Sequence, residues 1–259
     1  TVASWTEAFA LIAEKVAAVE PESVGAIAGD LASVEEMYAL KQLMSALGSS
    51  SMACRPAGSA LDPSLGRSSY LFNSTIDGIE DADAIMLIGT NPRLEAAVLN
   101  SRIRKRWRTG ELMVGLIGEA ADLTYEYFHA GAGPDSFPVI DQKPAKAKRP
   151  MYIVGEAVAH RKDGAAVLQK IADMAMRFDI AGEDWNGFNI LHTAAARVGG
   201  LDVAFVPGED GLSTGDMLEK SEVLFLLGAD ELDMMKRTSG FTVYIGSHGD
   251  VGAHHSDVI

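Results

Sequence analysis

The sequence predicts an α/β protein with two lobes, each built on a parallel sheet. Three observations carry that prediction. Short, continuously apolar runs alternate with amphipathic helical segments along the chain, as in sheets covered on both faces. Several runs end in a glycine turn that leads into a helix, the unit of a parallel sheet. The third is an internal echo. Asp83-Ala84-Ile85-Met86-Leu87-Ile88-Gly89-Thr90-Asn91 repeats as Glu222-Val223-Leu224-Phe225-Leu226-Leu227-Gly228-Ala229-Asp230. Each is an acidic residue, an apolar strand, glycine, a small residue and then Asn or Asp, as expected of two Rossmann-like lobes, or simply of any two parallel strands with tight turns.

The elements follow in order. Ser4 and Glu7 stand at capping-box spacing before a helix with Phe9, Ile12, Val16 and Val19 on one face. Glu20-Pro21 ends it, because proline disfavours helix in the residue before it. Val24 to Ile27 is a buried strand turning at Ala28-Gly29-Asp30. Ser33 and Glu36 form a second capping box, and Met37, Leu40, Met44 and Leu47 stripe a helix stopped by Gly48. Residues 49–75, rich in Ser, Gly and Pro, read as a long loop, often functional or a domain crossing.

Ala84 to Ile88 is the clearest strand; Gly89-Thr90-Asn91-Pro92 turns the chain into a helix from about Arg93 to Trp107. Met113 to Ile117 is the next strand. Residues 141–150 form a basic, proline-bounded linker. Beyond it are a strand at Met151 to Val154, a helix from Asp163 to Met176 and a helix from Trp185 to Val198. Val223 to Leu227 and Thr242 to Ile245 are the last strands.

Composition excludes several classes of function. The chain has 259 residues, one cysteine, 22 Lys+Arg against 36 Asp+Glu, and a net charge of −14. One cysteine forms no internal disulfide, no iron–sulfur cluster and no Cys-rich zinc site. The negative charge opposes nucleic acid and anionic membrane. No apolar run approaches the ~18 residues of a membrane span. The chain opens at Thr1 and stops at Asp257-Val258-Ile259 as an apolar run begins, as expected of a piece of a longer polypeptide.

The candidate ligand site is the turn Gly89, Thr90 and Asn91, with its echo at Gly228 and Asp230. Open α/β sheets bind ligands at strand C-termini, where free N–H groups attract phosphate. The competing reading is a tight βα turn with no ligand. Arg102, Arg104, Lys105, Arg106 and Arg108 crowd one helix end; they read either as a surface for an acidic partner or as cations favoured at a helix C-terminus. His248, Asp250, His254, His255 and Asp257 have the residue types of a metal site, but glycines intervene and no regular element fixes their spacing, so a glycine-rich turn is favoured. Cys54 beside Arg55 is either an activated thiolate or an inert thiol.

Several stretches resemble a known family. Asn73 to Asp83, Leu87 to Arg93, Asn100 to Lys105, Trp185 to His192, Leu224 to Glu231 and His248 to Ala253 resemble, in order, the large iron–sulfur subunit of respiratory complex I, the NADH:quinone oxidoreductase. Ser4-Trp5-Thr6-Glu7-Ala8 and Gly89-Thr90-Asn91-Pro92 are similar, more distantly, to the molybdopterin oxidoreductases, such as formate dehydrogenase and DMSO reductase. In those enzymes this turn contacts a pterin dinucleotide, and a cysteine, selenocysteine or serine ligates molybdenum. The chain departs from them at Gly118-Glu119-Ala120, where they usually carry Asp-Pro-Arg, and Cys54 falls only roughly where the ligand would be.

The resemblance implies a fragment that supports electron transfer from NADH to quinone, itself a cofactor-free scaffold and not catalytic. Its partners would be other peripheral-arm subunits, on the cytoplasmic side of a bacterial inner membrane or the mitochondrial matrix side. Iron–sulfur clusters are expected in an N-terminal region outside this chain. The alternatives are an active molybdopterin-dependent oxidoreductase with Cys54 as ligand, or a nucleotide-binding module. The resemblance also implies interleaved lobes: 1–50 with 148–259 in one, and 51–147 in the other.

Overall fold

A computed structural model of the chain describes residues 2–55, 58–140, 147–248 and 250–259. These carry nine strands: β1 Val24–Ala28, β2 Ser51–Ala53, β3 Ala84–Ile88, β4 Met113–Ile117, β5 Phe128–Gly131, β6 Pro150–Gly155, β7 Phe188–Leu191, β8 Val223–Leu227 and β9 Phe241–Ile245. They form two separate sheets. The chain divides into two compact units, Thr1–Gly58 with Ala194–Ile259, and Ser59–Thr193.

The first unit holds a four-stranded sheet in the order β2-β1-β8-β9, with every pair parallel. All five residues of β1 and of β8 are buried, which is why both strands are apolar throughout. Ile27, Leu224, Leu226, Met217 and Tyr244 share its core. Both predicted capping boxes form. Ser33 Oγ accepts from the Glu36 amide while the Glu36 carboxylate accepts from the Ser33 amide, and the helix Val34–Leu47 ends at Gly48 with a left-handed φ of 80°. The helix Trp5–Ala17 is capped the same way by Ser4 and Glu7 but buries no residue fully; Trp5 and Phe9 stay exposed with ring centroids 5.6 Å apart.

The second unit holds a five-stranded sheet, β5-β4-β3-β6-β7, again parallel throughout. Its core gathers Ile85 and Leu87 of β3, Leu116 of β4, Ile153 of β6 and Ile103 of the helix Ala97–Trp107. Asp83 anchors the centre: its carboxylate accepts from the backbone amides of Lys148 and Arg149, at 2.6 and 3.0 Å, just before β6.

The echo in sequence is an echo in structure. β3 lies between β4 and β6, and β8 lies between β9 and β1. The Gly89 amide donates to the carbonyl of Ile117, the last residue of β4, at 2.8 Å; the Gly228 amide donates to that of Ile245, the last residue of β9, also at 2.8 Å. Both glycines are left-handed, with φ of 60° and 52°.

The structure corrects five expectations. The second lobe spans 59–193, not 51–147, and residues 148–193 belong with it. The reason is the pairing of β6 with β3 and of β7 with β6. The expected linker at 141–150 therefore marks no return to the first lobe; residues 141–146 lie outside the described residues and Pro150 already starts β6. The helix expected over Trp185 to Val198 is instead β7 followed by the helix Arg197–Asp202. All four residues of β7 are buried, including Asn189, whose amide donates to the Tyr152 and Gly187 carbonyls and accepts from Ser74. The loop expected over 49–75 contains β2, and the helix after Gly89 breaks at Ala96 into Pro92–Glu95 and Ala97–Trp107.

Candidate functional site

In the second unit a cavity of about 460 Å³ opens at the C-terminal ends of β3 and β4. Gly89, Thr90 and Asn91 line it, with Glu95, Glu119 and Arg161. This is the switch point of the sheet, since the chain leaves β3 toward β4 on one side while β6 lies on the other. The turn's polar groups are already engaged. Thr90 Oγ1 donates to Glu95 Oε2 at 2.7 Å, and the Asn91 amide donates to Glu95 Oε1 at 2.8 Å. Asn91 Oδ1 accepts from the Arg93 amide at 3.2 Å, so the side-chain oxygen caps its own turn. Arg161 is held by Asp163 through two bonds of 2.7 and 2.8 Å.

The echo turn in the first unit is engaged in the same manner. Asp230 accepts from the Tyr244 hydroxyl at 2.7 Å and from the Gly252 amide at 2.9 Å. The Glu231 carboxylate accepts from the amides of Asp30 and Asp230, at 3.3 and 3.2 Å. Burial, and then the hydrogen bond to Asp230, pushes the Tyr244 hydroxyl up to about 12. Thus Gly89, Thr90 and Asn91 hold one strand-end turn, and Gly228 and Asp230 hold the other.

Cys54 follows β2 with its side chain fully buried. A β-carbon on Gly200 would stand 2.7 Å from its sulfur, so the thiol packs against the helix Arg197–Asp202. Arg197, 3% exposed, donates to the Cys54 carbonyl and to Asp30 Oδ1, the latter at 3.1 Å. It ties the ends of β1 and β2 together. Nothing in the sequence marked Arg197, a single arginine in a segment expected to be helical.

The basic helix end serves its own fold to a large extent. Arg102 pairs with Asp77 and Glu80 at 3.1 and 3.0 Å, and Lys105 pairs with Glu80 at 3.1 Å. Arg106 donates to the Ala82 carbonyl and pairs with Glu111 at 2.7 Å. Arg104 donates to the Thr124 carbonyl at 3.2 Å. Arg108 caps the helix C-terminus.

The C-terminal histidines and aspartates gather no ligand set among the described residues. Asp250 caps the turn Val251–His254, His255 Nδ1 meets the Val251 carbonyl, and Asp257 accepts from the Thr242 amide. Gly249, beside His248, lies outside the described residues.

A family model for molybdopterin oxidoreductases matches residues 1–259. The chain belongs to the molybdopterin oxidoreductase family. Among its relatives, the G subunit of the NADH-quinone oxidoreductase of Rickettsia felis is 43% identical over 99% of this chain and 38% of its own length. The mitochondrial NADH dehydrogenase [ubiquinone] iron-sulfur protein 1 of Solanum tuberosum is 37% identical over 99% of this chain and 35% of its own. The chain therefore spans little more than a third of the relatives it matches. The family fold also appears in a chain of the formyltransferase/hydrolase complex of Methylorubrum extorquens, solved with methylofuran. That chain superposes with a TM-score of 0.67 at 16% identity, over 97% of this chain and 82% of its own; the likeness is one of fold.

Proposed function

We propose that this family member is a scaffold domain of the large iron–sulfur subunit of complex I: it supports electron transfer from NADH to quinone without holding a pterin or molybdenum. The observation that carries the role is the 43% identity, over 99% of the chain, to a protein named as the G subunit of an NADH-quinone oxidoreductase. The iron–sulfur clusters of such a subunit would lie in the part of the relatives' length that this sequence does not span. Its partners are the other peripheral-arm subunits, on the cytoplasmic or matrix side. No helix among the described residues is long and apolar enough to cross a membrane.

Three observations support the cofactor-free part. The Cys54 thiol faces Gly200 and the core, an unsuitable posture for a molybdenum ligand. The Asn91 side-chain oxygen caps its own turn. Glycine pairs hold the switch-point turns backbone to backbone: a β-carbon on Gly155 would stand 2.3 Å from the Gly89 carbonyl oxygen. These observations favour the reading without a molybdenum-bound pterin. Metal analysis of the protein purified from its native source tests this. Iron without molybdenum is the expected result, and stoichiometric molybdenum overturns the scaffold reading.

A further inference from the structure

Both strand-end turns carry the same unusual occupant. In the second unit the Thr90 hydroxyl and the Asn91 amide converge on the Glu95 carboxylate, at 2.7 and 2.8 Å. In the first unit the amides of Asp30 and Asp230 converge on the Glu231 carboxylate, at 3.3 and 3.2 Å. The two glutamates reach these donors from different sequence positions. Glu95 lies four residues beyond Asn91, whereas Glu231 directly follows Asp230. The shared feature is thus the electrostatic arrangement and not the local sequence.

The chemistry is specific. Amides and hydroxyls clustered at the end of a parallel strand take anionic oxygens, and phosphate is the usual one. An ionised carboxylate offers only acceptors, so it satisfies the same donors. Once it is in place, a phosphate must displace a charge-assisted hydrogen bond and approach a like charge. In the 460 Å³ cavity it would also meet Glu119, while the one lining arginine, Arg161, is already held by Asp163.

We propose that Glu95 and Glu231 are built-in anions: their carboxylates take the place of a ligand's phosphate on the two strand-end turns and so close both lobes to phosphate-bearing ligands. The inference rests on the cofactor-free reading and supplies its residue-level cause. It also separates this chain from a nucleotide-binding module, whose turn donors would have to stand free.

The test is calorimetric titration of the chain with inorganic pyrophosphate at low salt and neutral pH. The native chain is expected to show no saturable binding at millimolar pyrophosphate. Glu95→Ala is expected to bind at least tenfold more tightly, with a smaller gain in Glu95→Gln, which keeps the side-chain shape and hence the fold if the alanine variant does not fold. Glu14→Gln, an exposed residue of the helix Trp5–Ala17, makes the same change in net charge and is expected to gain nothing. Glu231→Gln reports on the first unit in the same way. Absence of a gain in Glu95→Gln that melts like the native chain overturns the inference and leaves the cofactor-free reading standing. An equal gain in Glu14→Gln overturns it too, because net charge alone would then be the cause. Saturable binding by the native chain, with the amides of residues 89–95 protected from hydrogen exchange, overturns both.

Discussion

Gly155 lies so close to Gly89 that a β-carbon on it would stand 2.3 Å from the Gly89 carbonyl oxygen. The first unit repeats the contact, with Gly29 placed so that a β-carbon would lie 1.8 Å from the Gly228 carbonyl oxygen. Neither obstacle is a side chain able to swing away, so the strands themselves would have to part. Gly29→Ala and Gly155→Ala are each expected to destabilise the chain by about 3 kcal/mol or more, at the upper end of overpacking costs. Gly215 is the control: it sits in the helix Thr214–Lys220 with nothing near its missing β-carbon. Gly215→Ala should stabilise by about 0.5–1 kcal/mol. Urea unfolding of the three variants checks the contrast.

The basic helix end yields a prediction that separates folding from docking. Arg106 has only 17% of its side chain exposed and holds both the Ala82 carbonyl and Glu111. Reversing its charge breaks both bonds and sets Glu111 against a like charge, so Arg106→Glu is expected to cost about 1–3 kcal/mol. Arg108 is exposed at the helix C-terminus, where a glutamate opposes the helix dipole, so Arg108→Glu is expected to cost about 0.5–1 kcal/mol, less than Arg106→Glu. Under the proposed scaffold role, a loss of assembly in Arg108→Glu with a nearly unchanged melting temperature would place a docking contact at Arg108. Melting curves and pull-down with the neighbouring subunits read the two effects apart.

The parallel sheets were legible because β1, β3 and β8 are buried on both faces and so read as unbroken apolar runs. Ser4 and Ser33 announced their helices through local chemistry that needs no tertiary partner. β7 was not legible. Phe188, Leu191 and Ala195 also fit helical spacing, and what decides for a strand is a non-local bond network around the buried Asn189. The lobe boundary failed with it, because only the pairing of β6 beside β3 assigns residues 148–193. Gly89, Thr90 and Asn91 were legible as a turn from their place after a strand, and they line the cavity at its end. Glu95 was missed: its role comes from folding back onto the turn, and four residues of spacing do not announce that.

The capping boxes make stability depend on acidity. The Ser33 amide, and then its hydroxyl, hold the Glu36 carboxyl below the usual carboxylate range. A depressed carboxylate contributes stability above its unfolded pKa of about 4.3, and loses that contribution as pH falls through the lower folded value. Ser33→Ala is therefore expected to cost about 1 kcal/mol at pH 7. The penalty of Glu36→Gln, clear at pH 7, should fade as the pH is lowered below 4. Unfolding curves across that range check the sign.

Arg197 and Asp30 form the pair whose loss should be felt most in the first unit. The guanidinium is 4% exposed against 32% for the Asp30 side chain, so the arginine is the partner buried by the fold. Arg197→Met removes the guanidinium bonds to the Cys54 carbonyl and to Asp30; Asp30 keeps its access to water, so the expected cost is about 1–3 kcal/mol. Asp30→Asn, which keeps an oxygen facing the guanidinium, should cost less. The same change reaches the single thiol. Cys54 packs against Gly200, on the helix Arg197–Asp202. Its alkylation by iodoacetamide is expected to be slow in the native chain, fast in urea, and accelerated at least tenfold in Arg197→Met under native conditions. If the variant is destabilised while its thiol stays as slow as the native one, Arg197 holds the strand ends without controlling access to Cys54.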